Sequence, residues 1–258
     1  MITHYIILSS SYSEKTRIAI RYTFDKETIE KDTIQSPLDA ISKSFDGKYV
    51  SYSVHVVHTD SEDWDSVVKK DGYFKDVRLI ESLDEFISLI QRDREFKGID
   101  VAAYIASKKP CTHSRLEKLT YYCYAEYLCK TGKKLFTDKV YAFEHRPVIE
   151  TVYATLKEFS SQKKGSLLQT QEREPENKTK IGPGIEPMSI KSKLLFAEDG
   201  QGKVCSIDET LSKFDKYPTQ MLVEMTHRER TPWSVTKRDR PYTRISDSDI
   251  LKYHVNEI

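Results

Sequence analysis

The histidines at positions 4, 55 and 58, followed closely by Asp60, Glu62, Asp63 and Asp65, are the side chains in this sequence best suited to chemistry. Adjacent carboxylates can hold a cation, and a histidine can move protons near neutral pH. The spacing argues against a shared site. In the strand-like run from Lys48 to His58, alternate residues face opposite sides, which points His55 and His58 away from each other. The chain has no Gly-rich phosphate loop, no nucleophile elbow and no His-Glu-x-x-His motif. These residues therefore read as strand-surface and loop side chains, and the front of the chain as a binding domain rather than an enzyme.

The thiols and the basic run lead to similar conclusions. Cysteines 111, 123, 129 and 205 form no Cys-x-x-Cys pair, and Cys111 with His113 offers two ligands where a structural zinc needs four. Reduced structural cysteines, Cys123 and Cys129 buried in a helix, with no metal and no cofactor, are the expectation. The run Thr236 to Arg244 is basic and contains Tyr242, which could stack on a base. A solvated basic loop explains the same residues more simply, so a nucleic-acid-binding regulator stands as the lesser reading.

The chain has 258 residues, 38% hydrophobic and 31% charged. That suits one large or two modest domains and a long polar segment. No apolar run approaches the roughly 20 residues of a membrane helix. The N-terminus lacks the basic and apolar regions of a signal peptide, so a cytoplasmic location and no membrane partner are expected. Residues 1–95 carry 13 Lys and Arg against 18 Asp and Glu, and the remainder 28 against 22, an acidic front and a basic back. Two units with different partners follow from that asymmetry.

Residues 1–95 read as a small α+β domain of order β-β-α-β-β-α, with two helices covering one face of a sheet. Strands are expected at His4–Ser9, Thr16–Phe24, Lys48–His58 and Phe74–Ile80. Helices are expected from Ser36-Pro37 to Ser44, with Pro37 at its first position, and after the capping box Ser82–Glu85. Asp60 to Gly72 is a loop or short helix. From residue 96 the pattern becomes helical. Val101–Leu156 reads as three apolar helices separated by turns, the second capped by Thr112 or Ser114 and closed at Gly132. Residues 160–193 are too polar to bury a core and read as an inserted loop. Beyond it, Asp199–Gly202 is a turn, and helices are expected from Ser206 to Phe214, after Pro218 and from Ser246. Ile250, Leu251 and Tyr253 of the last should face inward.

Several separated pieces fit one pattern. They are Leu116-x-Lys118-Leu119-x-Tyr121-Tyr122 with Ala125, then Gly132 to Phe136, then Ala142-Phe143-Glu144-His145-Arg146-Pro147-Val148 with Tyr153. Far downstream come Leu222 to His227 and Pro232-Trp233. Over about residues 97–258 the chain resembles the Panacea domain family of SocA-like antitoxins. Arg146 stands where that family usually has Gly, and Phe143 where it has Trp. The resemblance implies a mostly α-helical domain following the α+β domain, without catalytic residues. It also implies a place in a bacterial or phage toxin–antitoxin system, and so in phage defence, by direct binding of a nearby-encoded protein toxin. Some relatives act as adaptors that deliver a toxin to the ClpXP protease. Lys118, Tyr121, Tyr122, Arg146, Pro147, His227 and Trp233 are the partner-binding candidates it singles out, each with a structural role as the plainer alternative.

Overall fold

The computed structural model describes residues 1–25, 31–161, 189–239 and 242–258. Most of the polar segment at 160–193, residues 162–188, lies outside the described residues. Backbone contacts separate two units: residues 1–94 with the helix ending at Phe196, and residues 95–161 with those from Ala197 onward. The short helix Ile190–Phe196 groups by its contacts with the first unit.

The first unit is built on one sheet. Strand β1 (Ile2–Ser11) pairs antiparallel with β2 (Thr16–Phe24) on one side and with β3 (Ser53–Thr59) on the other. The short β4 (Val77–Leu79) runs parallel to β2, giving the order β3-β1-β2-β4. Helix α1 (Lys31–Ser44) and helix α3 (Leu83–Arg94) pack on one face through Ile41, Phe86 and Ile90 against Tyr5, Ile7, Ile18 and Ile20. On the other face, α2 (Trp64–Lys70) and a 3₁₀ turn at Gly72–Phe74 bring Val67 and Phe74 against Ile6, Leu8 and Ala19.

The sheet is thus covered on both faces, where the sequence suggested one. The cause is visible in β1, whose consecutive Tyr5, Ile6, Ile7 and Leu8 are all buried, as a doubly covered strand requires. Several element bounds also differ. Strand β1 is longer at both ends than His4–Ser9, β3 starts at Ser53 rather than Lys48, and β4 starts at Val77 because Phe74 belongs to the 3₁₀ turn. Helix α1 starts at Lys31, which puts Pro37 inside the helix, where it forgoes one backbone hydrogen bond.

The second unit surrounds a single helix. After α4 (Gly98–Lys108) comes α5 (His113–Thr131), and then the hairpin of β5 (Val140–Phe143) and β6 (Arg146–Ile149) leading into α6 (Glu150–Ser161). With the seven-residue Ile190–Phe196 as α7, the chain continues through α8 (Gly200–Phe214), α9 (Thr219–His227), α10 (Pro232–Asp239), β7 (Thr243–Arg244) and α11 (Asp247–Tyr253). A 3₁₀ turn at His254–Glu257 ends it. Helices α4, α6, α8, α9 and α11 and strand β6 all contact α5. The hairpin, with β7 added to form the order β6-β5-β7, was not foreseen; a turn was expected there. Pro147 sits in the edge strand β6, where a missing N–H costs least.

Two further expectations change. Asp199–Gly202 is the start of α8 rather than a turn. A Cβ on Gly202 would lie 2.7 Å from the Asp199 carboxylate, so the glycine that argued against a helix is what admits the close approach. In α11, Ile250 is buried, Tyr253 half-buried and Leu251 exposed, because a helix of two turns presents only one narrow face to its neighbour.

Candidate functional site

The site is organised by α5, whose ends are fixed by sequence-readable caps. Thr112 accepts a hydrogen bond from the Arg115 backbone N–H at 3.3 Å. Gly132 closes the helix at φ 69° and donates its N–H to Leu128 O at 2.8 Å. Between the caps the helix is buried on every side rather than along one stripe. Its aromatic residues can be enclosed because their hydroxyls have partners. Tyr121 donates to the Glu257 carboxylate at 3.1 Å, Tyr122 to Leu222 O at 3.2 Å, Tyr124 to Asp247 at 2.7 Å and Tyr127 to Asp199 at 3.0 Å. Tyr104 of α4 does the same with Asp208 of α8 at 3.0 Å. The Tyr122 ring stacks on Phe214 at 4.3 Å between centroids.

Charged groups are enclosed with these rings. Lys118 is 1% exposed and its Nζ donates to Thr226 Oγ1 at 3.1 Å. Burial lowers its pKa from 10.5 to about 7, against the opposing pull of Glu117 and Glu257. Glu117 is buried with its Oε2 3.0 Å from Arg146 Nε, and burial raises its pKa. Glu257, fully buried, contacts His254 Nδ1 at 2.5 Å, and burial raises its pKa also. On the other side of its ring, His254 Nε2 meets Glu126 at 3.1 Å, and Lys213 reaches the same Glu126 oxygen at 2.7 Å. Burial disfavours the His254 cation, but the two carboxylates prevail and hold its pKa above the ordinary value. Tyr121 is thereby bonded through Glu257 to the last turn of the chain, and the Glu257 charge also acts on Lys118.

The surface part of the site lies at the β5–β6 hairpin. Glu144 and His145 at its tip are exposed. His227, at the end of α9, contacts His145 O through Nε2 at 2.6 Å and stacks on the Trp233 ring at 4.3 Å. Trp233 donates its indole N–H to Phe143 O at 2.8 Å, and Lys237 lies over its ring while bonding Glu144 O at 2.5 Å. The seven partner-binding candidates therefore fall into two groups. Lys118, Tyr121, Tyr122, Pro147 and Trp233 are buried, the first three as parts of the polar interior. Arg146 and His227 reach the surface beside the hairpin tip. Glu117, Glu126, His254 and Glu257 belong to the same constellation and were not singled out from sequence. A signal existed for two of them: Glu117 and Glu126 interrupt a helix whose apolar residues occur on all sides. Nothing in sequence tied the terminal His254 and Glu257 to residues more than 120 positions earlier.

The histidines of the first unit do not form a joint site. His55 packs edge-on against Phe74 on the α2 face, whereas His58 pairs with Thr3 and bonds its hydroxyl from the opposite face. His4 is fully buried and held by Thr59 Oγ1 at 2.8 Å and Ser61 O at 3.1 Å. The four cysteines are free thiols. Cys123 is buried as expected, but Cys129 is exposed because it falls in the last turn of α5. Among the described residues, no three His, Cys, Asp or Glu side chains are placed to hold a metal ion. Nor, among those residues, is any helix long and apolar enough to cross a membrane.

A mixed-sheet α+β unit and a mostly helical unit with a central, polar-cored helix define the class of the fold. The family model described as antitoxin SocA-like, Panacea domain matches residues 116–234, so the chain carries a SocA-like Panacea domain over that stretch. The match begins inside α5 and ends in α10, taking in the hairpin, His227 and Trp233. It supports an antitoxin-like role. No curated protein and no solved structure matches this chain.

Proposed function

We propose that this protein is the antitoxin of a toxin–antitoxin pair and neutralises a protein toxin by direct contact. The observation that carries the proposal is the Panacea domain at residues 116–234. The geometry supports a binding role more than a catalytic one. The buried titratable groups of α5 are bonded to partners from other elements of the same unit, which suits a rigid scaffold. The toxin-facing surface of this unit is the hairpin tip with Arg146 and His227. Buried side chains hold that tip in place: Glu117 anchors Arg146, and Trp233 anchors both Phe143 and His227. The acidic first unit adds complementarity to a basic toxin, the charge expected of a protein acting on RNA or nucleotides.

Co-expression with the product of the adjacent gene tests this reading. The neighbour should arrest growth alone, be tolerated with this protein and co-purify with it. A neighbour that is neither toxic nor bound refutes the proposal. Delivery to ClpXP is distinguished in the same experiment by the toxin's fate. Blocking leaves the toxin intact in the complex, whereas adaptor action removes it only where ClpXP is present. The protein would work in the cytoplasm in either case.

A further inference from the structure

The first unit contains a feature that toxin neutralisation does not use. At the end of the sheet, a cavity of about 230 Å³ opens between the last residues of β1, the approach to β3 and the end of α3. Arg17 lines it and is 2% exposed. Its guanidinium lies 4.5 Å from the centroid of the Tyr73 ring and donates through Nη2 to Lys75 O at 3.0 Å. Nε and Nη1 are buried and make no hydrogen bond. A buried guanidinium with two nitrogens unbonded is costly, and the cost is recovered when an anion meets it. Arg94 and Lys193 line the same cavity, and Asp93 is the one carboxylate in its lining. Asp93 is already engaged by Ser11 and the Ser13 N–H.

We propose that this cavity binds a small phosphate monoester, its dianionic head held by Arg17 and Arg94 and its organic body against Tyr52 and Tyr73. A dianionic head can meet both guanidiniums at once, where a single carboxylate is matched by one. The volume is below the roughly 300–1,000 Å³ of sites for drug-sized molecules, which limits the body to about one sugar or ring. Binding turns the guanidinium about its terminal bonds and brings Nε or Nη1 onto a phosphate oxygen. The site lies in the first unit, to which Lys193 contributes from within the family match, and would make that unit a sensor of a phosphorylated metabolite.

Isothermal titration calorimetry of the full chain, at fixed ionic strength, tests this with inorganic phosphate, ribose 5-phosphate and phenyl phosphate. At least one organic phosphate should bind saturably, with a Kd below about 1 mM, and more tightly than inorganic phosphate. Arg17→Met and Arg94→Gln should each weaken it by about tenfold or more, the loss of one charge-assisted contact. Arg94 is at the rim, so its variant keeps the test valid if Arg17→Met does not fold. Absence of saturable binding by both organic phosphates overturns the proposal. So does affinity unchanged in Arg94→Gln, or inorganic phosphate binding as tightly as either ester.

Discussion

Replacing Lys118 with methionine keeps the length of the side chain and removes the buried amine. Lys118 titrates near 7 in the folded protein against 10.5 for an ordinary lysine. The sign follows from linkage. Between these values the unfolded chain binds a proton that the folded protein does not, so stability rises with pH. Below pH 7 the penalty of about 5 kcal/mol, at about 1.4 kcal/mol per pKa unit, is fully present; by pH 10.5 it has almost vanished. From pH 7 to pH 9 the Lys118 contribution alone should raise unfolding free energy by about 2 kcal/mol. Urea unfolding of the wild type and of Lys118→Met across that range isolates it. The wild-type curve should climb relative to the variant's as pH rises. Parallel curves would show that the amine is not the buried, neutralised group its surroundings require.

Three other perturbations follow from the same packing. Gly98→Ala would place a Cβ 2.6 Å from Ile149 Cγ2, forcing α4 away from β6, and should cost about 1–3 kcal/mol in thermal unfolding. Tyr121→Phe removes the hydroxyl that Glu257 accepts and should cost about 1–3 kcal/mol, read by the same method. Ser246→Ala removes the hydroxyl that accepts from Asp249 N–H at 3.0 Å and should cost about 1 kcal/mol.

Sequence periodicity and caps located most helices of both units because those signals are local. Thr112, Gly132 and Ser246 act where their residue types placed them. Strand parity was equally dependable, and it separated His55 from His58. Features that depend on distant residues were not legible. The burial of α5 on every side needs helices from both ends of the domain, and the tyrosine partners lie up to 136 positions away. The second covering of the sheet also escaped, although the unbroken run Tyr5 to Leu8 carried the clue. The motif residues identified the family, and their side chains show why: several of them hold the interior and the hairpin together. Local propensity alone could not have separated Lys118 from Arg146, since both are basic and only the fold encloses one of them.

The central claim is that this protein binds and silences a toxin, and one measurement tests it most directly. The adjacent gene is induced in cells that carry this protein as wild type, as His227→Ala alone, as Arg146→Glu with His227→Ala, or not at all. Growth should be restored by the wild type, with the two proteins recovered as one complex. It should fail with the double variant and weaken with His227→Ala alone, which keeps Arg146 beside the buried Glu117. A neighbour harmless by itself, or rescue without a recoverable complex and without toxin loss, would contradict the claim.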